Sequence, residues 1–423
     1  MAAPRRWSLL NLPLLVLVGI AEALCPHCTE DPKFHESDPP IHFGGGPELL
    51  SRTRDLANLA ATCKDLHYIV LPILYHQAQC HPHRRIQLLR TLARRPDLAR
   101  RVKVLKLDFP GELSEDSDDL DFVLELAARH GWPYAVDPKM ELEDRFGLEA
   151  IEGERATEDM PINLLLVLCT NLEKLTTDIR DFYKFDFLQP SELPHLKSVF
   201  ITASDASSYI DLGDLCGLYH AAPSLEAFTA GLLEWGGDEP LPLANLRHIA
   251  LEMSAISPGC LNALLKSCPQ LESFTYFMGG THAIEIARIT KSLFRYVPKI
   301  KHLDLHIAFE EDEDAEYDSD WFVDWDDHCP KPAPGFASFS HLETLVLYGP
   351  ELLDIWIGYG PPAALFPQSL RSLGLILGNS PPEVAGVELE PFVRTARSIL
   401  PNLTSVTSRG YTYGPSTEHL KVS

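Results

Sequence analysis

The sequence lacks the signatures of several common catalytic sites. It contains neither a GxSxG nor an HExxH motif, and no carboxylate pair stands out from its acidic stretches. The glycine-rich stretch FGGGPE, which begins at Phe43, carries no lysine and is not flanked by a strand pattern and a helix pattern. It therefore does not predict a phosphate-binding loop. We predict a protein that is not an enzyme and needs no cofactor.

The sequence is also poor in basic residues. It has 36 Lys and Arg against 60 Asp and Glu, a net charge of -24, which argues against a general nucleic-acid binder. Basic residues dominate only from Arg84 to Lys106, where Asp97 alone opposes them. The arginines there alternate with leucines, and no aromatic residue interleaves to stack on bases. This stretch predicts a solvated helix face, and we expect no nucleic-acid partner.

A disulfide framework is not indicated either. Nine cysteines, an odd number, are scattered over a long chain, which suits reduced thiols. Cys25 and Cys28 have the inner spacing of a zinc knuckle, and His35 and His42 lie nearby, but a second matching pair is missing. The sequence therefore predicts no metal site.

Long apolar runs are confined to the opening stretch, so we expect no membrane-spanning segment and no membrane partner. Arg5–Cys25 has the form of a secretory signal, but Asn11 and Pro13 weaken its apolar run. Pro13 instead suits the first turn of a helix. On such a helix Leu12, Leu15, Val16 and Ile20 recur near helical spacing, and we expect them to meet Leu56 and Leu59. We predict that this helix is retained and that the protein is cytoplasmic, nuclear or both.

A short phrase, such as PQLESFTY or SHLETLVL, recurs along the chain. Its first apolar residue, the marker residue, is followed by the alternation of a short strand, and several copies are preceded by a helical pattern. The steps between markers range from 21 to 33 residues, apart from one step of 42 that contains the acidic run Glu310–Asp327. The markers are Leu172, Leu196, Leu225, Leu246, Leu271, Ile300, Leu342, Leu370 and Leu403.

This period is typical of a leucine-rich-repeat solenoid, in which each unit buries its apolar face against its neighbours. We expect an α/β fold: an irregular array with a parallel sheet and outer helices. An α/β domain whose strands merely resemble one another is the alternative. Ahead of the array, Arg54–His76 predicts a helical hairpin with too little apolar surface to stand alone. The opening stretch would supply its third helix.

The stretches LLNLPLLVLVGIAEAL and DLANLAATCKDLHYIVLPILYH together resemble an F-box split by an insertion, and RRIQLLRTLARRPDLARRVKVLKLDF resembles the segment that joins an F-box to leucine-rich repeats in many fungal proteins. The resemblance implies an F-box-like unit over 1–80 with an inserted loop at about 26–50 and a helical linker over 81–101. The array would cover 102–410, with acidic insertions at about 111–160 and 309–335, and a tail would cover 411–423.

In that family the helical unit binds a Skp-type adaptor on a cullin–RING ubiquitin ligase, while the repeats hold the protein to be ubiquitylated. The resemblance thus implies a non-catalytic recognition subunit whose protein target is unknown. A repeat scaffold without a ligase role, and a secreted recognition protein with a cleaved leader, are the alternatives. The residues expected at the adaptor surface are Leu12, Pro13, Ile20, Leu56, Leu59, Cys63, Lys64, Leu71, Leu74 and Tyr75.

Overall fold

The chain is an α/β protein that divides into two compact units. The first comprises Met1–Ile179, Tyr183–Ser204 and His220–Ser224, and the second comprises Arg180–Phe182, Asp205–Tyr219 and Leu225–Ser423. The predicted domain boundaries stay a prediction. The computed structural model describes residues 9–29, 47–80, 84–107, 117–132, 160–179, 185, 187–203, 209–235, 240–279, 286–306, 336–348, 366–376, 399–409 and 417–421.

The first unit begins with a 3₁₀ turn, Leu9–Asn11, and a group of helices. Pro13 precedes the first helix with φ at -56°, a value that the proline ring itself imposes, so the helix starts there at little entropic cost. Cys25 ends that helix in an extended conformation, and the next helix follows at once. The helices are α1 (Leu14–Leu24), α2 (Pro26–Thr29), α3 (Pro47–Thr62), α4 (Lys64–Leu74), α5 (Arg85–Arg94), α6 (Pro96–Ala99), α7 (Ser117–Arg129) and α8 (160–168).

Four parallel strands in the order β1-β2-β3-β4 complete the first unit. The register joins Gln77 to Val104, Val104 to Lys174, and Lys174 to Ser198, so the strands begin at the same level. The interior is lined by alternate side chains, as in β3, where Leu175, Thr177 and Ile179 are buried. The strands are β1 (Gln77–Cys80), β2 (Val104–Leu107), β3 (Lys174–Ile179) and β4 (Ser198–Ala203).

The second unit contains a longer path of strands in the order β6-β8-β9-β10-β11-β12-β13-β14. All neighbours in this path are parallel except β13 and β14, and β5 and β7 extend a small second sheet from β8. The strands are β5 (Ile210–Asp211), β6 (Ala227–Gly231), β7 (Leu233–Trp235), β8 (His248–Ile256), β9 (Ser273–Met278), β10 (His302–His306), β11 (Thr344–Tyr348), β12 (Ser372–Ile376), β13 (Ser405–Arg409) and β14 (Thr417–Lys421).

The repeating phrase sets the positions of these strands. Every marker residue is buried, and a strand begins two residues after each one. Most marker N–H groups donate to the carbonyl three residues earlier, as Leu271 does to Cys268 at 3.1 Å, so one turn recurs along the chain. The predicted parallel sheet is confirmed. The predicted helix-then-strand order is seen at α8 and at three later helices, namely α9 (Cys216–Ala221), α10 (Pro258–Ser267) and α11 (Ile286–Tyr296).

In each of the two units, taken by itself, a charged side chain occupies the residue immediately before most strands of the larger sheet, and the sign of the charge alternates along the sequence. The Glu272 carboxylate lies 3.6 Å from Arg247 Nη1 and 2.8 Å from Lys301 Nζ. The residue before β1 is His76, so this row begins with an imidazole. We call the charged row the charge ladder, and its members are Lys103, Glu173, Lys197, Glu226, Arg247, Glu272, Lys301, Glu343 and Arg371.

Candidate functional site

Three helices of the first unit pack into a small apolar core. α3 and α4 form the predicted hairpin, and α1 packs against both of them. Leu24 and Val18 of α1 pack against the margin of this core, together with Leu59 and Leu74. The opening stretch thus supplies the third helix, as the sequence indicated. The core residues are Ala21, Cys25, Leu56, Ala60, Val70 and Ile73.

The expected adaptor-surface residues divide between the interior and the surface of this helical group. Leu56 is only 1% exposed and is an internal core residue. Pro13 and Lys64 are exposed. The others are partly buried, so each can contribute both to packing and to a surface, and they are Leu12, Ile20, Leu59, Cys63, Leu71, Leu74 and Tyr75.

The inward face of α1 differs from the predicted one. Leu15 is 84% exposed and Val16 is 44% exposed, so the expectation that they meet α3 was wrong. Leu17 and Ala21 are buried in their place. α1 is apolar around most of its circumference, and a helix of that kind offers no polar face from which the buried side can be inferred.

Large apolar side chains remain exposed where the chain enters the helical group. Leu14 is 61% exposed, and its neighbours in the same turn and in the preceding turn are exposed as well. Exposed apolar side chains grouped in one segment can mark an interaction site. Sequence reasoning missed two of its residues, Leu15 and Val16, because it assigned them to the interior. We call it the α1 apolar surface, and it consists of Leu9, Leu10, Leu14, Leu15 and Val16.

Beside the core, two cysteines and two histidines converge. Cys25 is the residue that ends α1, His27 and Cys28 lie in α2, and His76 lies between α4 and β1. One potential ligand atom from each residue lies within 4.8 Å of all the others. Cys25 is buried, the two histidines are partly buried and Cys28 is exposed. We call these four residues the Cys–His cluster.

Two of the distances inside the Cys–His cluster match those between ligands of a tetrahedral zinc ion, and the potential ligand atoms of all four residues lie within 4.8 Å of one another. Cys28 Sγ lies 3.7 Å from His27 Nδ1 and 3.4 Å from His76 Nδ1. With zinc–sulfur bonds near 2.3 Å and zinc–nitrogen bonds near 2.0–2.1 Å, tetrahedral ligand atoms are separated by about 3.3–3.8 Å. The imidazoles meet edge to face, with ring centroids 5.5 Å apart.

Groups around the cluster hold its members in place. His27 Nε2 lies 3.5 Å from a carboxylate oxygen of Glu173, and Lys103 donates a hydrogen bond to the other oxygen of Glu173. Cys25 Sγ lies 3.7 Å from the Ile73 carbonyl, near the end of α4. The cluster is therefore connected to α4 and, through Glu173, to the beginning of the charge ladder.

The two thiols differ in acidity. Burial opposes ionisation of Cys25, but hydrogen bonds with His27 and His76 outweigh it and lower the pKa of the Cys25 thiol to about 6. Burial, together with negative charge on Cys25, raises the pKa of the Cys28 thiol to about 12. The hydrogen bond with Cys25 raises the pKa of His27 despite its partial burial, and Glu173 adds to this effect. Without a metal, the cluster thus favours one thiolate stabilised by imidazole.

Sequence reasoning found half of this cluster and rejected it. Cys25 and Cys28 were recognised as a pair, but the prediction of no metal site followed from the lack of further ligands close in sequence. The structure supplies His76, which lies 48 residues from Cys28. His35 and His42, considered at first, lie outside the described residues. No local signal marks His76, because only the packing of α4 against α1 brings it near Cys28.

Among the described helices, none combines the length and the apolar character needed to span a bilayer. In comparisons with protein-family models and with curated proteins, the chain matches none of them.

Proposed function

We propose that this chain is a substrate-recognition subunit of a cullin–RING ubiquitin ligase, working in the cytoplasm or nucleus. In this proposal the helices α1, α3 and α4 form an F-box-like unit that binds a Skp-type adaptor. The strand units form an irregular leucine-rich-repeat solenoid that binds the target protein. Support comes from the F-box-like residue pattern and from the packing of the segments that carry it around one core.

The α1 apolar surface is the observation on which the proposal rests. Leu14 and Leu15 expose most of their side chains to water, although burying such a side chain contributes about 1.5–3 kcal/mol. A partner that covers this surface would recover that free energy. The Skp-type adaptor is the partner that we assign to it, because residues of this surface lie on both sides of the Leu12–Pro13 pair of the F-box-like pattern.

The proposed mechanism requires no catalytic residue in this chain. Binding the adaptor through the helical group and a target through the strand units would hold the target's lysines near a transfer enzyme carried by the ligase. Ubiquitin transfer would be accelerated because the target and the transfer enzyme are held in one complex. Their effective concentration rises and their orientation is fixed, so that a bimolecular encounter becomes intramolecular. This agrees with a sequence that has no recognisable nucleophile motif.

Leu15→Asp in the full-length chain tests the proposal. Leu15 is 84% exposed, so the change leaves the fold intact, whereas a carboxylate in an apolar interface weakens binding at least tenfold. Phe294→Asp is the matched control, since Phe294 is an apolar residue of α11 that is 42% exposed. We expect it to bind like the wild type. The measurement is calorimetric titration with a Skp-type adaptor from the same organism.

Circular dichroism and thermal unfolding of both variants must match the wild type for the comparison to apply. Equal binding by Leu15→Asp and wild type would mean that the α1 apolar surface is not the docking site. A folded wild-type chain that binds no Skp-type adaptor of its organism would contradict the ligase role. It would favour the repeat scaffold, which needs no such partner.

A further inference from the structure

We propose that Cys25, His27, Cys28 and His76 bind a structural zinc ion. The proposal goes beyond the adaptor function and does not depend on it, since the site would form whether or not the α1 apolar surface has a partner. The ion would join the end of α1, the short helix α2 and the residue before β1.

The donor set selects the metal. Two thiols and two imidazoles are the Cys₂His₂ combination of structural zinc sites, whereas calcium and magnesium require oxygen ligands. Four protein ligands leave no open coordination position, so the site would be structural and not catalytic. Two thiolates with two neutral imidazoles also balance the double positive charge of the ion.

Cys25 belongs to the apolar core, but burial does not account for the positions of the other three side chains. Cys28 is exposed and His27 and His76 are only partly buried, so the hydrophobic effect does not draw these side chains together. His76 nevertheless approaches Cys28 from a position 48 residues away, with 3.4 Å between Nδ1 and Sγ, and the adjacent His27 places its Nδ1 3.7 Å from the same sulfur. Cys25 is extended and α2 begins at the next residue, and the sulfur atoms of Cys25 and Cys28 both lie within 4.8 Å of the potential ligand atom of His76.

The carboxylate of Glu173 lies next to the proposed ligand His27, an arrangement that is common around zinc. His27 directs Nδ1 towards Cys28 and Nε2 towards Glu173, the arrangement in which a carboxylate orients a metal-bound imidazole. Lys103 offsets the charge of Glu173. The ion would therefore be connected, through Glu173, to the turn that begins β3, and it would fix α1 relative to the first strands.

The first test is the metal content of the untagged full-length chain, purified with a thiol reductant and without chelator. We expect inductively coupled plasma mass spectrometry to find about one zinc ion per chain. Cys28→Ser and His76→Asn should each lower the zinc content at least tenfold. Cys63→Ser and His67→Asn are the matched controls, because Cys63 and His67 belong to the same unit but not to the Cys–His cluster. Both control variants should retain the zinc content of the wild type.

The second test needs no variant and so is unaffected if a variant fails to fold. Zinc-edge X-ray absorption of the wild-type chain should show sulfur neighbours near 2.3 Å and nitrogen neighbours near 2.0–2.1 Å, in about equal numbers. A shell without sulfur would overturn the proposal. So would zinc that stays bound in the Cys28→Ser and His76→Asn variants, or reduced wild-type chain that contains no zinc and takes up none when it is added. Oxidation of Cys25 and Cys28 to a disulfide as the stable state of the freshly purified chain would also overturn it.

Discussion

Glu252 is a partly buried carboxylate in the irregular part of β8, between Leu251 and Ser254, where the register with β9 shifts. Burial raises the pKa of Glu252 from its ordinary value of 4.5 to about 7. The folded chain therefore holds this proton more tightly than the unfolded chain. Stability should fall as the pH rises from about 4.5 to about 7 and should remain lower above that range.

Glu252→Gln should remove this dependence, because the amide has the shape of the protonated acid and never ionises. We expect the variant to be more stable than the wild type at pH 8, by about 1–2 kcal/mol after discounting for the water that reaches this site. At pH 4 the two should be nearly equal. Urea unfolding followed across this pH range measures the difference, and a constant offset between the two proteins would contradict the assignment to Glu252.

At the scale of elements, the orientation of α1 can be tested with two neighbouring leucines. Leu17 is 6% exposed and Leu15 is 84% exposed. Leu17→Ala should destabilise the packing of α1 by about 2–4 kcal/mol, whereas Leu15→Ala should change it by less than about 0.5 kcal/mol. Hydrogen exchange of the α1 amides reports the local effect. Faster exchange in Leu15→Ala than in Leu17→Ala would show that the inward face is the one first expected from the sequence.

The strands were predictable because each unit repeats one local pattern. In each copy of the phrase, a helix-breaking residue precedes the apolar marker residue, and an alternation of apolar and polar residues follows it. This pattern predicts a strand that begins two residues after Leu271, and the same holds at Ile300 and Leu342. One short apolar stretch alone does not identify a strand, but its recurrence at similar spacing does. The inward face of α1 was not predictable in this way, because a helix that is apolar all round can bury any side, and contacts with α3 and α4 decide between them.

The Cys–His cluster marks another limit of sequence reasoning. The spacing of Cys25 and Cys28 indicates a possible pair of metal ligands, but no sequence pattern around His76 indicates a third ligand. Its position depends on where α4 ends and β1 begins, which follows from tertiary packing. Ligands that are distant in sequence can be recognised only after the elements that carry them have been assembled.

For the whole molecule, the acidic run Glu310–Asp327 offers a test of how the strand units are joined. It lies outside the described residues, between β10 and β11. These strands pair directly, with His302 opposite Thr344, so both ends of the connection are held by the sheet. Replacing the run with a short Gly-Ser linker should shift the melting temperature by less than about 3 °C, since closure entropy changes slowly with loop length.

Removing a stretch of equal length within the sheet, from Cys260 to Phe277, is the matched control for that replacement. It deletes most of α10 and β9 and should abolish cooperative unfolding, as seen by calorimetry. If the replacement of the acidic run had the same effect, Trp321 and Trp325 would belong to the core, and the register of the strand units at the long step would be wrong.

Because the sign of the charge ladder alternates, losing or gaining an even number of strand units differs in its effect from losing or gaining an odd number. If the unit that begins with Glu272 were lost, Arg247 would stand beside Lys301, two like charges before adjacent strands. If the units of Glu272 and Lys301 were lost together, Arg247 would stand beside Glu343, and opposite signs would meet again. A single pair contributes little, about 0–1 kcal/mol, but every odd change in unit number replaces an attraction with a repulsion. A chain built in this way tolerates the gain or loss of units more readily in twos than singly.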